Sequence, residues 1–342
     1  MKKQKRALIT GITGQDGSYL AELLVGKGYK VYGLIRRSSN DPFVRLPELK
    51  HKVTFLYGNL RDIATIEAAI DESNPDEIYN LAAQSDVGVS FKCPHETIET
   101  NYYGVGRLVN AALAKNPKVR IYQASTSEMY GKAKPPQNET TVFMPVSPYG
   151  ESKLRAHEDF IVASREKRGA FTVSGILFNH ESPRRGEHFV TRKITISLAK
   201  IKLGLQDSFE LGNLEAKRDW GYAADYVEAM WKMLQFDKPE DFVIATGESH
   251  TVRDFVEAAA SALGMPIHWS GKGLKEVGKT ADGKIVIRVN KKYYRPAEVH
   301  YLLGDSAKAK KKLGWNPKVK FGELVRMMTE TDYERLKRGI VA

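Results

Sequence analysis

The 342-residue chain has an ordinary globular balance, with 42% hydrophobic and 27% charged residues, which excludes disorder, collagen and coiled coil. Lys and Arg exceed Asp and Glu by 53 to 41, a net charge of +12 that suits nucleic acid, an anionic membrane or a phosphate-bearing small molecule. The single cysteine, Cys93, excludes an intramolecular disulfide, and no run of 18 apolar residues is present to span a bilayer. The apolar run after the basic start is too short for a signal peptide, so a cytoplasmic location is expected.

In chain order, residues 6–10, 30–35, 53–57, 77–83, 119–125 and 171–178 read as strands, several of them apolar almost throughout. Helical patterns at 18–27, 63–72, 98–114 and 151–167 separate them. This alternation predicts an α/β fold with a Rossmann-type doubly wound parallel sheet. After residue 180 the rhythm weakens. Residues 181–190 read as a loop, 190–203 and 221–235 as helices, and 242–246 as one more buried strand. Residues 279–289 read as a hairpin turning at Asp282-Gly283. The expected division is a dinucleotide-binding domain of residues 1–180 plus about 219–247. A smaller, discontinuous α/β substrate domain takes 181–218 and 248–342.

The segment from Gly11 to Gly17 (GITGQDG) follows the first strand and opens the first helix. Glycines there let backbone N–H groups approach a pyrophosphate, and the helix dipole adds attraction. The second strand should end beside the adenosine ribose, where an NAD enzyme places Asp or Glu. This chain has Arg36-Arg37-Ser38-Ser39 instead. Guanidiniums and hydroxyls suit a 2′-phosphate, which predicts NADP as the cofactor.

Tyr149 and Lys153 stand four apart where a helix should begin after Ser147-Pro148, so they share one face. A tyrosine titrates near 10, and its use as a base near neutrality needs a downward shift of roughly 3 units. The Lys153 ammonium is expected to supply part of it, with a cationic nicotinamide adding more. The fifth strand runs into Thr126, Ser127 and Glu128, at the carboxyl end that faces a binding crevice. Thr126 can hydrogen-bond a substrate hydroxyl. Alcohol oxidation needs no second acid/base, so Glu128 points to proton chemistry at another carbon.

These residues stand in segments such as GITGQDGSYLAELL (11–24), IYNLAAQS (78–85), YQASTSEMYG (122–131), SPYGESK (147–153), GILFNHESPRRGEHFVTRK (175–193), LGNLEAKRDWGYAADYVEAMW (211–231) and YYRPAEV (293–299). Through them the chain resembles the extended short-chain dehydrogenases/reductases and, within these, the GDP-mannose 4,6-dehydratases. The resemblance implies Thr126, Glu128, Tyr149 and Lys153 as the catalytic set. It implies cofactor contacts from Gly11, Thr13, Gly14, Gln15, Asp16, Gly17, Arg36, Asn59, Leu60, Leu81, Ala82, Ala83, Ser85, Tyr149, Lys153, His180 and Arg185. It assigns the GDP-sugar to Ser127, Asn179, Lys193, Arg218, Arg295 and Glu298. It further implies a homodimer or homotetramer. No metal, nucleic acid or membrane partner is expected, and the Lys-rich stretches at 2–6 and 308–312 read as solvated faces.

Asp86, Met144 and Val146 depart from the family pattern close to these motifs. They motivate a rival reading, the same dehydration on another GDP-sugar such as a GDP-heptose. A nucleotide-sugar 4-epimerase and a non-catalytic NADP-binding module are further rivals. Glu128 argues against the epimerase, since epimerisation needs no elimination.

Overall fold

Residues 4–39, 41–294, 297, 299 and 301–340 are described by a computed structural model. The first part of the chain alternates strands and helices. It runs β1 (Arg6–Thr10), α1 (Gln15–Gly26), β2 (Lys30–Ile35), β3 (Val53–Tyr57), α2 (Ile63–Ser73), β4 (Glu77–Asn80), α3 (Val87–Lys92), α4 (Pro94–Ile98), α5 (Gly104–Lys115), β5 (Arg120–Thr126), α6 (Pro148–Ala156), α7 (Ala163–Arg168) and β6 (Thr172–Leu177). The second part contains β7 (Asn179–Glu181), α8 (Val190–Lys202), β8 (Phe209–Leu211), β9 (Lys217–Arg218), β10 (Trp220–Tyr222), α9 (Ala223–Gln235), β11 (Phe242–Ile244), β12 (His250–Thr251), α10 (Val252–Ala262), β13 (His268–Ser270), β14 (Val277–Lys279), β15 (Ile285–Val289), α11 (Ala307–Leu313) and α12 (Phe321–Lys337).

Seven strands form one parallel sheet in the order β11-β6-β5-β4-β1-β2-β3. Side chains alternate between its faces. Ala7 and Ile9 pack with Leu20, Leu24 and Met230 under α1 and α9, whereas Leu8 packs with Ile66, Leu108 and Ile121 under α2 and α5. Both faces are covered, which is why the strands read as continuous apolar runs. The strand order reverses between β1 and β4, so the crevice opens at the carboxyl ends of these two strands.

The strands expected at 6–10, 30–35 and 53–57 are observed with those bounds. The expected 77–83 strand stops at Asn80, because its neighbour β1 ends at Thr10 and the chain then lines the crevice. The helix expected at 98–114 starts earlier, at Pro94, and passes through a π-helical stretch at Glu99–Tyr103. The helix expected at 151–167 starts at Pro148. Ser147 caps it by accepting from the Gly150 N–H, and Pro148 takes the first position, where no donor is needed.

Beyond β6, the α8, α10 and α12 helices share a separate apolar cluster with Leu211, Trp220 and Ile287. A four-stranded sheet in the order β13-β14-β15-β8 lies with it, and β14 and β15 form the expected hairpin. Gly283 turns that hairpin with φ 84°. The strand at Phe242–Ile244 returns to the edge of the large sheet beside β6. No helix among the described residues is long and apolar enough to cross a membrane, and none of their His, Cys, Asp and Glu side chains gather to hold a metal.

Candidate active site

The Gly-rich turn sits at the mouth of the crevice. Gly11 has φ +70°, and a Cβ there would stand 2.8 Å from the Ala82 nitrogen. At Gly17 a Cβ would stand 2.3 Å from the Gly11 carbonyl oxygen. The turn therefore needs glycine at both places, and its close-packed backbone at the α1 N-terminus fits a pyrophosphate. Thr13 and Gly14 lie in the same turn, half-buried. Leu81, Ala82 and Ala83 form the opposite wall and Ser85 its exposed end. Thr10 anchors this wall: its carbonyl accepts from the Leu81 N–H and its Oγ1 from the Ala82 N–H at 3.1 Å. Asn101 accepts from the Gln84 N–H at 2.9 Å.

Gln15 and Asp16 tie the turn to β7. Asp16 Oδ2 lies 2.8 Å from His180 Nε2, while His180 Nδ1 lies 2.8 Å from the Phe178 carbonyl. Two acceptors on the two ring nitrogens fit an imidazolium. Burial works against that charge, yet Asp16 and the Phe178 carbonyl raise the His180 pKa overall. Burial likewise pushes the Asp16 carboxyl up, and His180 and Gln15 carry it below its usual value. The His180 ring stacks on Tyr226 at 4.7 Å. Gln15 Nε2 donates to the His180 carbonyl and Ser182 Oγ donates to Gln15 Oε1.

At the ribose end, Arg36, Arg37 and Ser38 line a cleft of about 560 Å³ with Tyr57, Gly58, Asn59, Arg61 and Thr65. Arg36, Arg37 and Arg61 make no ion pair among the described residues, so three guanidiniums face one cleft. Asn59 accepts from the Arg61 N–H through Oδ1 at 3.0 Å, and Leu60 between them is buried. The sequence reading missed Arg61. Its position two residues past Asn59, in the same loop, is the signal that was available.

Thr126, Ser127, Glu128, Tyr149 and Lys153 are all buried and come together at the carboxyl end of β5. Thr126 ends the strand, and its hydroxyl accepts from the Glu128 N–H at 3.2 Å, turning residues 127–129 into one 3₁₀ turn. The Glu128 carbonyl packs against Gly150, next to Tyr149. Lys153 Nζ donates to the Ala124 carbonyl at 2.8 Å and stands 6.0 Å from the Tyr149 ring centre.

The expected lowering of the phenol by Lys153 is not found. Burial pushes Tyr149 up to about 12; a hydrogen bond from Thr126 and the Arg185 charge lower it, and Glu128 raises it. Burial also lowers Lys153 to about 8, because the ammonium is desolvated.

The residues expected to hold a nucleotide sugar are more dispersed. Asn179 opens β7 and pairs with Trp220. Lys193 Nζ donates to the Glu210 carbonyl at 2.5 Å and stands 3.6 Å above the Tyr293 ring. Arg218 is buried in β9, and its Nη1 donates to the Lys217 carbonyl. The neighbouring Asp219, also missed in the sequence, accepts from Thr246, Gly247 and Gly304 and so ties this strand to two segments, 246–247 and 304. Arg185, expected at the cofactor and not at the sugar, has its Nε 3.1 Å from Glu181 and its guanidinium 3.6 Å above Phe189. Arg295 and Glu298 lie outside the described residues. Asp86 caps α3 through the Val89 N–H and stands 3.8 Å from His188. Lys308 and Lys312 pair with Glu240; Lys308 is half-buried, its Nζ also donating to the Asp241 carbonyl, whereas Lys310, Lys311 and Lys312 are exposed.

A sequence profile of the GDP-mannose 4,6 dehydratase family matches residues 8–328. The chain belongs to this family. It is 53% identical to the GDP-mannose 4,6 dehydratase of Cricetulus griseus over 98% of this chain and 93% of that one. It is 52% identical to that of Homo sapiens, with the same coverage. The Yersinia enterocolitica GDP-mannose 4,6-dehydratase is 49% identical over 98% of this chain and 95% of its own.

Among solved structures, the Thermus thermophilus UDP-glucose 4-epimerase complex with NAD superposes with a TM-score of 0.79 at 27% identity, covering 98% of this chain and all of that one. A Bacillus anthracis dTDP-glucose 4,6-dehydratase in complex with NAD shares the fold, with a TM-score of 0.79 at 20% identity over 98% of both chains. Family and Rossmann-type fold therefore agree with the resemblance carried by the sequence motifs.

Proposed function

We propose that this protein dehydrates GDP-D-mannose to GDP-4-dehydro-6-deoxy-D-mannose and water, as an NADP-dependent lyase. Membership of the GDP-mannose 4,6 dehydratase family supports the reaction. The observation that carries it to particular residues is the burial of Glu128 and Tyr149 together beside Thr126, at the carboxyl end of β5. An acid/base of each kind is what oxidation at one carbon and elimination at the next require.

Residues 1–180 with about 219–247 would hold the cofactor, and 181–218 with 248–342 the GDP-sugar. The glycine turn fits the pyrophosphate, and Arg36, Arg37 and Arg61 fit an adenosine 2′-phosphate, which favours NADP over NAD. When bound, the nicotinamide supplies the hydride acceptor and later the donor, so the net redox change is zero. Tyr149 takes the proton of the sugar O4 hydroxyl, with Thr126 as its hydrogen-bond partner. Because burial holds the free phenol near 12, Tyr149 is competent only when positive charge arrives beside it. Lys153, held by the Ala124 carbonyl, supports that site. Once C4 is a ketone, C5–H is acidic. Glu128 removes this proton and then protonates the departing C6 hydroxyl, which leaves as water; C6 would then receive the hydride held on the cofactor, and Tyr149 would return to C5 the proton it took from O4. Lys193, Arg218 and Arg295 are the cations for the diphosphate, and Glu298 the acceptor for a guanine edge.

The test is incubation with NADP and GDP-mannose, followed by mass measurement of the product. Loss of one water is expected. The Glu128→Gln variant should bind GDP-mannose and fail to eliminate; full turnover in that variant would falsify the assigned role. A second reading rests on Asp86, which directly follows the crevice wall and faces His188. If it reshapes the sugar end, the 6-extended homologue of GDP-mannose will be turned over faster than GDP-mannose itself.

A further inference from the structure

Residues 182–189 cross from β7 to α8 and carry Arg185. Three consecutive carbonyls of this strap each accept a guanidinium hydrogen bond. Arg335 Nη1 donates to Pro183 at 2.9 Å, Arg45 Nε to Arg184 at 2.7 Å, and Arg192 Nη1 to Arg185 at 2.8 Å. The donors come from α12, from the loop after β2 and from α8. The Arg184 side chain reaches the other way, to Ser18 and Glu22 on α1.

Carbonyls of a surface connection are ordinarily served by water. Here three cations are gathered on them, although desolvating like charges in one place is costly. Burial, followed by the charge of Arg192, lowers the pKa of both Arg45 and Arg335. Among the described residues one carboxylate, Asp332, forms an ion pair with any of the three, and its partner is Arg192. Both its oxygens accept from Arg192 Nε, at 2.9 and 2.8 Å, and Thr195 Oγ1 adds a third bond at 2.6 Å. Arg192 is 4% and Asp332 1% exposed, so the pair is a rigid post inside the α8–α12 packing.

The consequence falls on Arg185. Its carbonyl is held by Arg192, its N–H donates to the Ser182 carbonyl at 3.0 Å, and its side chain lies between Glu181 and Phe189. A planar guanidinium fork fixes the direction of the carbonyl it grips, which a water or an ammonium does not.

We propose that Arg192, Arg335 and Arg45 are positioning residues that set Arg185 for a phosphate of the bound dinucleotide, with Asp332 as the buried counter-ion that orients Arg192. This rests on the cofactor role given to Arg185 above. The clamp acts through Arg185 and touches no reacting atom.

The test is titration of the full-length protein with NADPH, beside thermal unfolding, for Arg192→Lys, Arg335→Gln, Arg185→Ala and the two double variants with Arg185→Ala. Arg335, half-buried at the end of α12, keeps the test open should Arg192→Lys fold poorly. Each clamp variant alone should weaken NADPH binding by about tenfold, the size of one lost charge-assisted hydrogen bond. In the Arg185→Ala background the same changes should have no further effect on binding, because the group they position is gone. Lower thermal stability with unchanged NADPH affinity, or fully additive losses, overturns the clamp. NADPH binding by Arg185→Ala equal to that of the unmutated protein overturns the cofactor role of Arg185 and the clamp with it, whereas weak binding there with full affinity in the clamp variants overturns the clamp alone.

Discussion

His180 Nε2 and Asp16 Oδ2 stand 2.8 Å apart, and this one contact joins the first turn of α1, at the end of the glycine segment, to the strand that follows β6. The residues are 164 positions apart in sequence. The pair puts a carboxylate in the phosphate-binding turn and neutralises it in place.

The pH dependence of stability follows from that pair. The folded pKa of His180 is raised above 6.5, so its contribution is fully present below 6.5 and is lost as pH rises through the folded value. Asp16 is lowered below 3.8, so its contribution is present above 3.8 and lost as pH falls through its folded value. Thermal unfolding followed from pH 6.5 up to about 8, below the Lys153 window, should show declining stability in the unmutated protein. Asp16→Asn should flatten this decline and cost about 1–3 kcal/mol at neutral pH. An unchanged slope would remove the pair as its source.

Tyr149 and Lys153 make opposite demands on pH. With Tyr149 at about 12, tyrosinate should be absent from the cofactor-free protein near neutrality and should rise in absorbance on binding oxidised NADP. Tyr149→Phe keeps the buried ring and should lower kcat by roughly 10²–10⁴ while leaving the melting temperature nearly unchanged. A melting temperature far below that of the unmutated protein would instead mark the hydroxyl as structural.

Lys153 falls from 10.5 to about 8 in the fold. Between these values the unfolded chain binds more protons than the folded one, so this group makes stability rise with pH across that window. Lys153→Met should abolish the rise and also abolish turnover. The measurement is chemical denaturation at several pH values between 8 and 10.5.

Arg61 extends the arginine pair that the sequence places at the ribose end. Arg61→Ala should weaken NADPH binding by roughly tenfold, as for one lost phosphate contact, and leave NADH binding nearly unchanged. Equal losses for the two cofactors would place Arg61 away from the 2′-phosphate.

Gly17→Ala tests the close approach in the turn. The added methyl carbon would stand 2.3 Å from the Gly11 carbonyl and 2.5 Å from the Ile12 Cα, both backbone atoms. The turn must open, so dinucleotide binding should be lost before the fold is. Calorimetric titration with NADPH beside circular dichroism distinguishes the two.

Much of the fold was legible because it is periodic. A sheet covered on both faces demands apolar residues at every strand position, and the bounds of β1, β2 and β3 could be read directly. Ser147 and Pro148 announce a helix start through local chemistry alone, although the helix begins three residues before the expected 151. The chemistry of Tyr149, Lys153, Thr126 and Glu128 was equally local, since spacing i, i+4 and the end of a strand suffice to bring them to one place.

What the sequence by itself determined is therefore the set of elements and the residue types delivered to the carboxyl end of the sheet. Only the tertiary structure decided how those groups behave. The Tyr149 phenol rises where the lysine beside it promised a fall, because desolvation depends on what packs around the ring and no spacing rule contains that. The His180–Asp16 latch, the third arginine at the ribose cleft and the three guanidiniums on the 183–185 carbonyls come from residues far apart in the chain. Periodicity reports which face a residue occupies, whereas the packing of β7 against the start of α1, and of α8 and α12 against the 183–185 connection, sets which charges meet there.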